Sequence, residues 1–305
     1  MKVLITGGTG LIGSALADSL VKDGHQVVVL TRNPNRKLNG LGAVRLLKWD
    51  GRSGEGWSQE LEGADAIVNL AGESIAPQAG RWTAERKKRI KQSRIDVTKA
   101  VVDGIRRVSQ KPAVLIQGSA VGYYGTHDDE IIRENAPAGN DFLADVVKEW
   151  EAVSQPVEAM GVRRVLARTG VVFAKEGGPL PVLALPFKMF VGGPVGSGRQ
   201  YLPWIHIDDE VAAIRFLIEN DKASGPFNFT APNPITNKEF AQVMGRVLGR
   251  PSFFPTPGFI MNLMLGEAST LALDGQRAVP NALQKAGYRF KFSDAESALR
   301  DLLSN

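Results

Sequence analysis

Apolar residues in the first half of the chain fall into short runs divided by longer stretches of mixed polarity. KVLIT (2–6) and QVVVLT (26–31) are rich in β-branched residues and too short for buried helices, so they predict strands. VRLLKWD (44–50), AIVNLAG (66–72), AVLIQGSA (113–120) and RRVLARTGVVF (163–173) repeat that texture and predict four more strands, the last with its exit. Between them, residues 11–23, about 86–108 and 141–153 read as helices. Strands alternating with helices imply parallel pairing through right-handed crossovers, hence an α/β doubly wound sheet.

Beyond Thr169 the texture changes. Glycine and proline thicken through GGPLPVLALP and GGPVGSGRQYLP, with shorter, scattered helices. The expected organisation is a cofactor domain over residues 1–170 and a smaller mixed α/β substrate lobe over 171–305, intimately packed. With 305 residues, 43% hydrophobic and 23% charged, the composition is that of a globular protein able to bury a large core. No stretch approaches a membrane span, and MKVLITGG is strand-like from residue 1, so no leader and a cytoplasmic location are expected. The chain has no cysteine and three histidines (His25, His127, His206) in no metal-site spacing, so no metal is expected. Much of the net charge of +5 lies in RWTAERKKRIKQSR. At helical spacing these cations wrap a solvated surface, and no aromatic interleaving points to nucleic acid.

The most informative stretch is ITGGTGLIG (5–13), where Gly7, Gly10 and Gly13 satisfy GxxGxxG and Gly8, Gly10 and Gly13 satisfy GxGxxG. It leaves a strand and opens a helix. There glycine permits a tight turn and close backbone approach, and the helix N-terminus offers N–H groups to a pyrophosphate. An NAD enzyme places an acid at the end of the second strand; this chain has Thr31, Arg32 and Asn33, with Arg36 and Lys37 behind. A guanidinium there suits the 2′-phosphate of NADP, although an exposed turn arginine fits the same position. Asp50 suits the adenine amino group or the start of a turn.

TGGTGLIG, NLAG (69–72), the serine before YYG (123–125) and WIHIDD (204–209) resemble the extended short-chain dehydrogenase/reductases, the NAD(P)-dependent epimerase/dehydratase-like proteins. SRIDVT, GYYG, DFLADVVKEWE, RTGVVFAKEGG and GQRAVPNALQKAGYRF resemble an atypical subfamily of these, the cell-division-inhibitor-like proteins that include the plant giant-chloroplast protein. The resemblance spans essentially the whole chain and implies a Rossmann-type sheet that binds NADP(H). It implies a cofactor-binding set of Gly7, Gly8, Thr9, Gly10, Leu11, Ile12, Gly13, Thr31, Arg32, Asp50, Asn69, Leu70, Ala71, Gly72, Ser119 and Arg168. Ser119 matches the active-site serine when counted from Tyr123, whereas counting from Tyr124 lands on Ala120.

The family's tyrosine and its lysine four residues later share one helix face, and here Phe142 and Val146 stand in their places. Lys148 is turned away, and shifting the register to use it puts Ala144 where the tyrosine belongs. Candidate proton groups are therefore Ser119, Tyr123 and Tyr124, with Glu134 another; the YG tyrosine is often structural in related enzymes. Sugar-nucleotide members carry a diphosphate-binding arginine where this chain has Leu202, with Arg199 or Lys188 as possible substitutes; His206 suits an ordering role or a base. Three readings follow: an NADP(H)-dependent oxidoreductase acting on an unidentified small organic molecule, a non-catalytic NADP(H)-responsive regulator, and a sugar-nucleotide epimerase. Homodimers are compatible with each.

Overall fold

The computed structural model describes residues 1–35, 44–76 and 81–304. Seven strands form one parallel sheet: β1 (Lys2–Thr6), β2 (Gln26–Thr31), β3 (Arg45–Lys48), β4 (Ala66–Asn69), β5 (Val114–Ala120), β6 (Arg163–Thr169) and β7 (Gly225–Phe229). Across the sheet they run β7-β6-β5-β4-β1-β2-β3. The order reverses between β1 and β4, so crossover loops diverge there and open a crevice at the strand carboxyl ends. The doubly wound sheet read from the hydrophobic pattern is the observed fold.

The helices as far as residue 265 are α1 (Leu11–Lys22), α2 (Ala84–Arg107), α3 (Phe142–Ser154), α4 (Leu180–Lys188), α5 (Ile207–Glu219), α6 (Asn237–Leu248) and α7 (Gly258–Leu265). Period-two alternation sends Val3 and Ile5 of β1 into one core with Leu16 and Leu20 of α1 and Ile214 and Leu217 of α5. Leu4 enters the opposite core with Val97, Val101 and Ile105 of α2. Each fully buried aliphatic side chain contributes about 1.5–3 kcal/mol of transfer free energy, so both faces of the sheet are anchored. Helix starts follow local chemistry: the Thr83 side chain accepts from Arg86 N to begin α2, and Asp141 accepts from Ala144 N at 2.8 Å to begin α3.

Strand β7 was not among the expected strands. GPFNF carries glycine, proline and asparagine, which depress strand propensity. As the edge of the sheet, β7 tolerates Pro226, whose missing N–H would interrupt an inner ladder. After β6 the chain breaks at Gly170 and continues as Val171–Phe173, which pairs in parallel with Trp204–His206. Those two short strands, α4, α6 and the helix Ala295–Leu303 surround a separate core of Phe173, Trp204, Phe240 and Leu299.

Candidate functional site

At the crevice the glycines of the first turn have separate duties. A Cβ on Gly13 would lie 2.4 Å from the Gly7 carbonyl oxygen and 2.7 Å from Gly8 Cα, so only glycine lets α1 press onto the turn. A Cβ on Gly8 would strike Val29 of β2 at 2.5 Å, and Gly7, at φ 69°, lies where a Cβ would meet Leu70 and Ala71 backbone at 2.8 Å. Thr9 is partly buried at the tip of the turn and Gly10 is exposed as the N-cap of α1. No side chain caps α1, in contrast to α2, α3 and α6. The first-turn N–H groups of Leu11, Ile12 and Gly13 are therefore left for an external acceptor beside the positive end of the dipole. This cradle fits a dinucleotide pyrophosphate.

At the far end of β2, Thr31 is buried and its Oγ1 accepts from Asn33 N at 3.2 Å, while Arg32 is exposed beside the crevice. Arg36 and Lys37 lie outside the described residues. Asp50 is exposed and its Oδ1 accepts from Arg52 N at 2.8 Å, a turn-initiating contact.

Asn69, at the end of β4, is fully buried. Its Oδ1 accepts from Thr6 Oγ1 at 2.6 Å, and its Nδ2 donates to Gln117 Oε1 at 2.9 Å and Thr98 Oγ1 at 3.1 Å. The Thr6 hydroxyl in turn accepts from Leu70 N and Ala71 N at 3.1 and 3.2 Å. One buried network thus ties three strands to α2 and presents the backbone of Leu70, Ala71 and Gly72 beside the glycine turn. Arg94 of α2 lies against Gly72 and donates Nη1 to the Glu73 and Ile90 carbonyls at 2.9 Å each. Burial lowers its pKa to about 10. The remainder of the basic stretch is surface and largely ion-paired: Arg86 and Arg89 to Glu73, Lys87 to Glu267, Lys91 to Glu149. Arg94 departs from the expected solvated face because it falls on the side of α2 shared with Ile90 and Val101.

Ser119 closes β5 opposite Arg168 of β6. The Ser119 hydroxyl donates to Glu151 Oε1 at 2.6 Å, and Arg168 grips the same carboxylate with Nε and Nη2 at 2.8 and 2.9 Å. Arg168 Nη1 donates to the Tyr124 hydroxyl at 3.0 Å, and that hydroxyl donates to Asn228 Oδ1 at 2.6 Å. All five residues are buried. Desolvation raises the Tyr124 pKa to about 12, which leaves its phenol a neutral structural donor near neutrality. Tyr123 is partly exposed, with its ring under the Arg168 guanidinium at 3.5 Å from the centroid. Glu134 is buried; its Oε1 accepts from Asn228 N and Ala282 N, and Oε2 has no partner among the described residues.

Phe142 packs edge-to-face on Trp82, with centroids 5.4 Å apart, and lies under Lys87 rather than toward Ser119. The face of α3 that looks at the β5 end runs through Leu143, 3.4 Å from a Cβ built on Gly122, and reaches Glu151 two turns later. Counting four onward from Leu143 gives Val147, so this register also lacks tyrosine and lysine. Glu151 was the residue missed by reading the sequence. The signal lay in ARTG, an arginine in a buried apolar strand that demands an acid, and in the acid one turn past Val147.

His206 is buried; its Nδ1 accepts from Asp208 N at 3.0 Å, capping α5, and its ring stacks on Phe292. Burial lowers its pKa, so the imidazole stays neutral and orders the segment. Leu202 is half-buried, whereas Arg199 and Lys188 are exposed. Among the described residues there is no cluster of three or more metal-ligating side chains and no helix long and apolar enough to cross a membrane.

Residues 3–229 match the model of the NAD dependent epimerase/dehydratase family, and residues 256–302 match a domain of unknown function, DUF1731. The epimerase family protein YfhF of Bacillus subtilis is 42% identical over all of this chain and 99% of its own. The Arabidopsis thaliana chloroplastic SDR39U1 homolog, also described as an epimerase family protein, is 41% identical over 99% of this chain and 87% of its own. The crystal structure of human epimerase family protein SDR39U1 with NADPH superposes with a TM-score of 0.90 at 33% identity, covering 100% of both chains.

Proposed function

Because the chain belongs to the NAD dependent epimerase/dehydratase family, we propose that it is an NADP(H)-binding oxidoreductase acting on a small organic substrate. The observation that carries the reading is the cradle: an uncapped α1 N-terminus over glycines that no Cβ can replace. The human relative crystallised with NADPH supports the same cofactor here, as does Arg32 at the site where an NAD-specific chain carries an acid.

When bound, the nicotinamide supplies or accepts the hydride. The chain's own residues bind and orient. Leu11, Ile12 and Gly13 offer backbone N–H groups to the pyrophosphate, and Arg32 with Thr31 holds the 2′-phosphate. Asp50 lies where the adenine amino group is expected, and the backbone of residues 70–72 faces the ribose. Arg168 acts through Glu151 and Tyr123 as a positioning residue. Ser119 presents an oxygen to the substrate that accepts a hydrogen bond, because its own proton is committed to Glu151. Tyr123 is the partly exposed phenol at the strand end.

Two observations weigh on the alternatives. The buried Ser119–Glu151–Arg168–Tyr124 chain engages two of the three candidate hydroxyls, Ser119 and Tyr124, which favours a cofactor-responsive regulator as the second reading. Apolar Leu202 in place of an arginine weighs against a sugar-nucleotide diphosphate. The test is fluorescence titration of the purified protein with NADPH and NADH, repeated on Arg32→Glu, followed by NADPH oxidation with a panel of quinones, ketones and aldehydes. Preference for NADPH that disappears in the variant supports the cofactor, and turnover separates enzyme from regulator. Equal affinity for the two nucleotides overturns the NADP assignment.

A further inference from the structure

Among the described residues, every exposed large apolar side chain except Ile131 lies between Val182 and Leu271. All of these but Leu271 gather on two adjoining segments. Helix α4 buries Leu180, Ala184 and Phe187 against the lobe and turns Val182, Leu185 and Met189 outward, three and four residues apart on one face. The chain then presents Phe190 and Val191, each 53% exposed.

Alongside runs the second segment: Phe254 N donates to Gly192 O at 3.1 Å, Thr256 N to Pro194 O at 2.8 Å, and Val195 bridges to Thr256. This pairing sets Phe253 and Phe254 next to Phe190, with Arg250 stacked 4.3 Å over the Phe190 ring. Phe253 is 71% exposed. Helix α7 follows, with Phe259, Leu263 and Met264 all exposed and no residue buried.

Phe190 has a φ of 63°, the one positive φ among the described non-glycine residues. A bulky residue is disfavoured there, so the turn bears strain while presenting an aromatic ring to solvent. Such a concentration of protruding aromatic and aliphatic groups exceeds the scatter expected of a soluble surface.

Charge selects the occupant. Residues 177–207 and 240–266, which carry the patch, contain no aspartate or glutamate, while Lys188, Arg199, Arg246 and Arg250 all lie within them. Arg246 pairs with Glu296; Lys188, Arg199 and Arg250 have no carboxylate within 4.0 Å among the described residues. A second copy of this face would bring the same cations together, and no acid lies within these segments to offset them. An anionic surface that accepts both apolar side chains and cations fits. We propose that the α4 face, residues 189–191 and Phe253–Phe254 form a peripheral docking surface for an anionic lipid bilayer, with the aromatic rings in the interface and Lys188 and Arg250 among the headgroups. This attachment requires no spanning helix.

The test is sedimentation of the purified full chain with phosphatidylcholine vesicles and with vesicles containing one third phosphatidylglycerol. Binding to the anionic vesicles alone, weakened at 0.5 M salt, is expected. Phe190→Ser with Phe253→Ser should abolish it, and Lys188→Glu with Arg250→Glu should weaken it about twenty-five-fold or more, each cation contributing a factor of about five. Circular dichroism and NADPH titration verify that the variants fold, and the charge variant, which removes no buried group, keeps the proposal open to refutation if the serine variant unfolds. Failure of wild-type protein to bind anionic vesicles overturns the proposal. So does binding that neither variant changes. Light scattering that shows a dimer dissolved by Phe190→Ser with Phe253→Ser assigns the face to a second copy and also overturns it.

Discussion

Ser119 and Arg168 sit side by side on neighbouring strands, and what they share is Glu151. Removing one member of a buried ion pair strands the other charge, at a cost of about 3–5 kcal/mol. Glu151→Gln should therefore lower the melting temperature by many degrees, whereas Glu151→Met combined with Arg168→Met should recover much of the loss. Calorimetry of these two variants, with Glu151→Met and Arg168→Met each made alone, checks this; additive losses would show that the pair is not a unit. In the turn, Gly13→Ala pushes a methyl into the Gly7 carbonyl oxygen. It should abolish NADPH binding while leaving the lobe core intact, read by nucleotide fluorescence beside near-ultraviolet circular dichroism. Glycine identity exposes such positions in the sequence because only the missing Cβ satisfies them. Glu151 lay hidden in a helix of ordinary amphipathic pattern, since its partner comes from a strand seventeen residues later in the chain.

At the scale of elements, α3 is the informative case. Its span was readable to within a residue or two, because Asp141 caps it and the apolar stripe has helical period. Its rotation was not readable. Whether Phe142 or Leu143 faces the strand end depends on a turn of about 100° per residue, set by packing against Trp82 and the α2 surface rather than by local pattern. Phe142→Tyr should accordingly leave any NADPH-dependent turnover unchanged, because the new hydroxyl lies toward Trp82 and Lys87. Leu143→Tyr with Val147→Lys puts the pair on the face that reaches Glu151, so a gain in turnover is expected from it alone. Steady-state rates of the two variants decide the rotation. Strand β7 teaches the complementary lesson. An edge position relaxes the composition of a strand, so its pattern fades from the sequence while its place in the sheet remains secure.

For the whole molecule, the consequential group is Glu210, buried where α5 meets the end of β6. Its Oε1 accepts from Thr169 Oγ1 at 2.9 Å and its Oε2 has no partner among the described residues. Burial pushes its pKa up from 4.5 to about 8. Between those values the folded chain holds a proton that the unfolded chain has released, so this group's contribution to stability declines as pH rises from about 4.5 and levels off above about 8. A full proton of difference gives a slope of about 1.4 kcal/mol per pH unit. His206 acts in the opposite sense. Its pKa is lowered from 6.5, so below that pH the unfolded chain binds the extra proton and stability falls with acid. Below pH 6.5 the two slopes oppose each other, and between 6.5 and 8 the Glu210 decline stands alone. Glu210→Gln keeps an acceptor for Thr169 and removes the titration. Denaturant melts at half-unit intervals should show wild-type stability falling from pH 6.5 to 8 and the variant nearly flat, with the variant gaining most at pH 8 and above. Equal slopes would mean that Glu210 is ionised in the fold at neutral pH, and that the open side of its carboxylate is solvated by buried water instead.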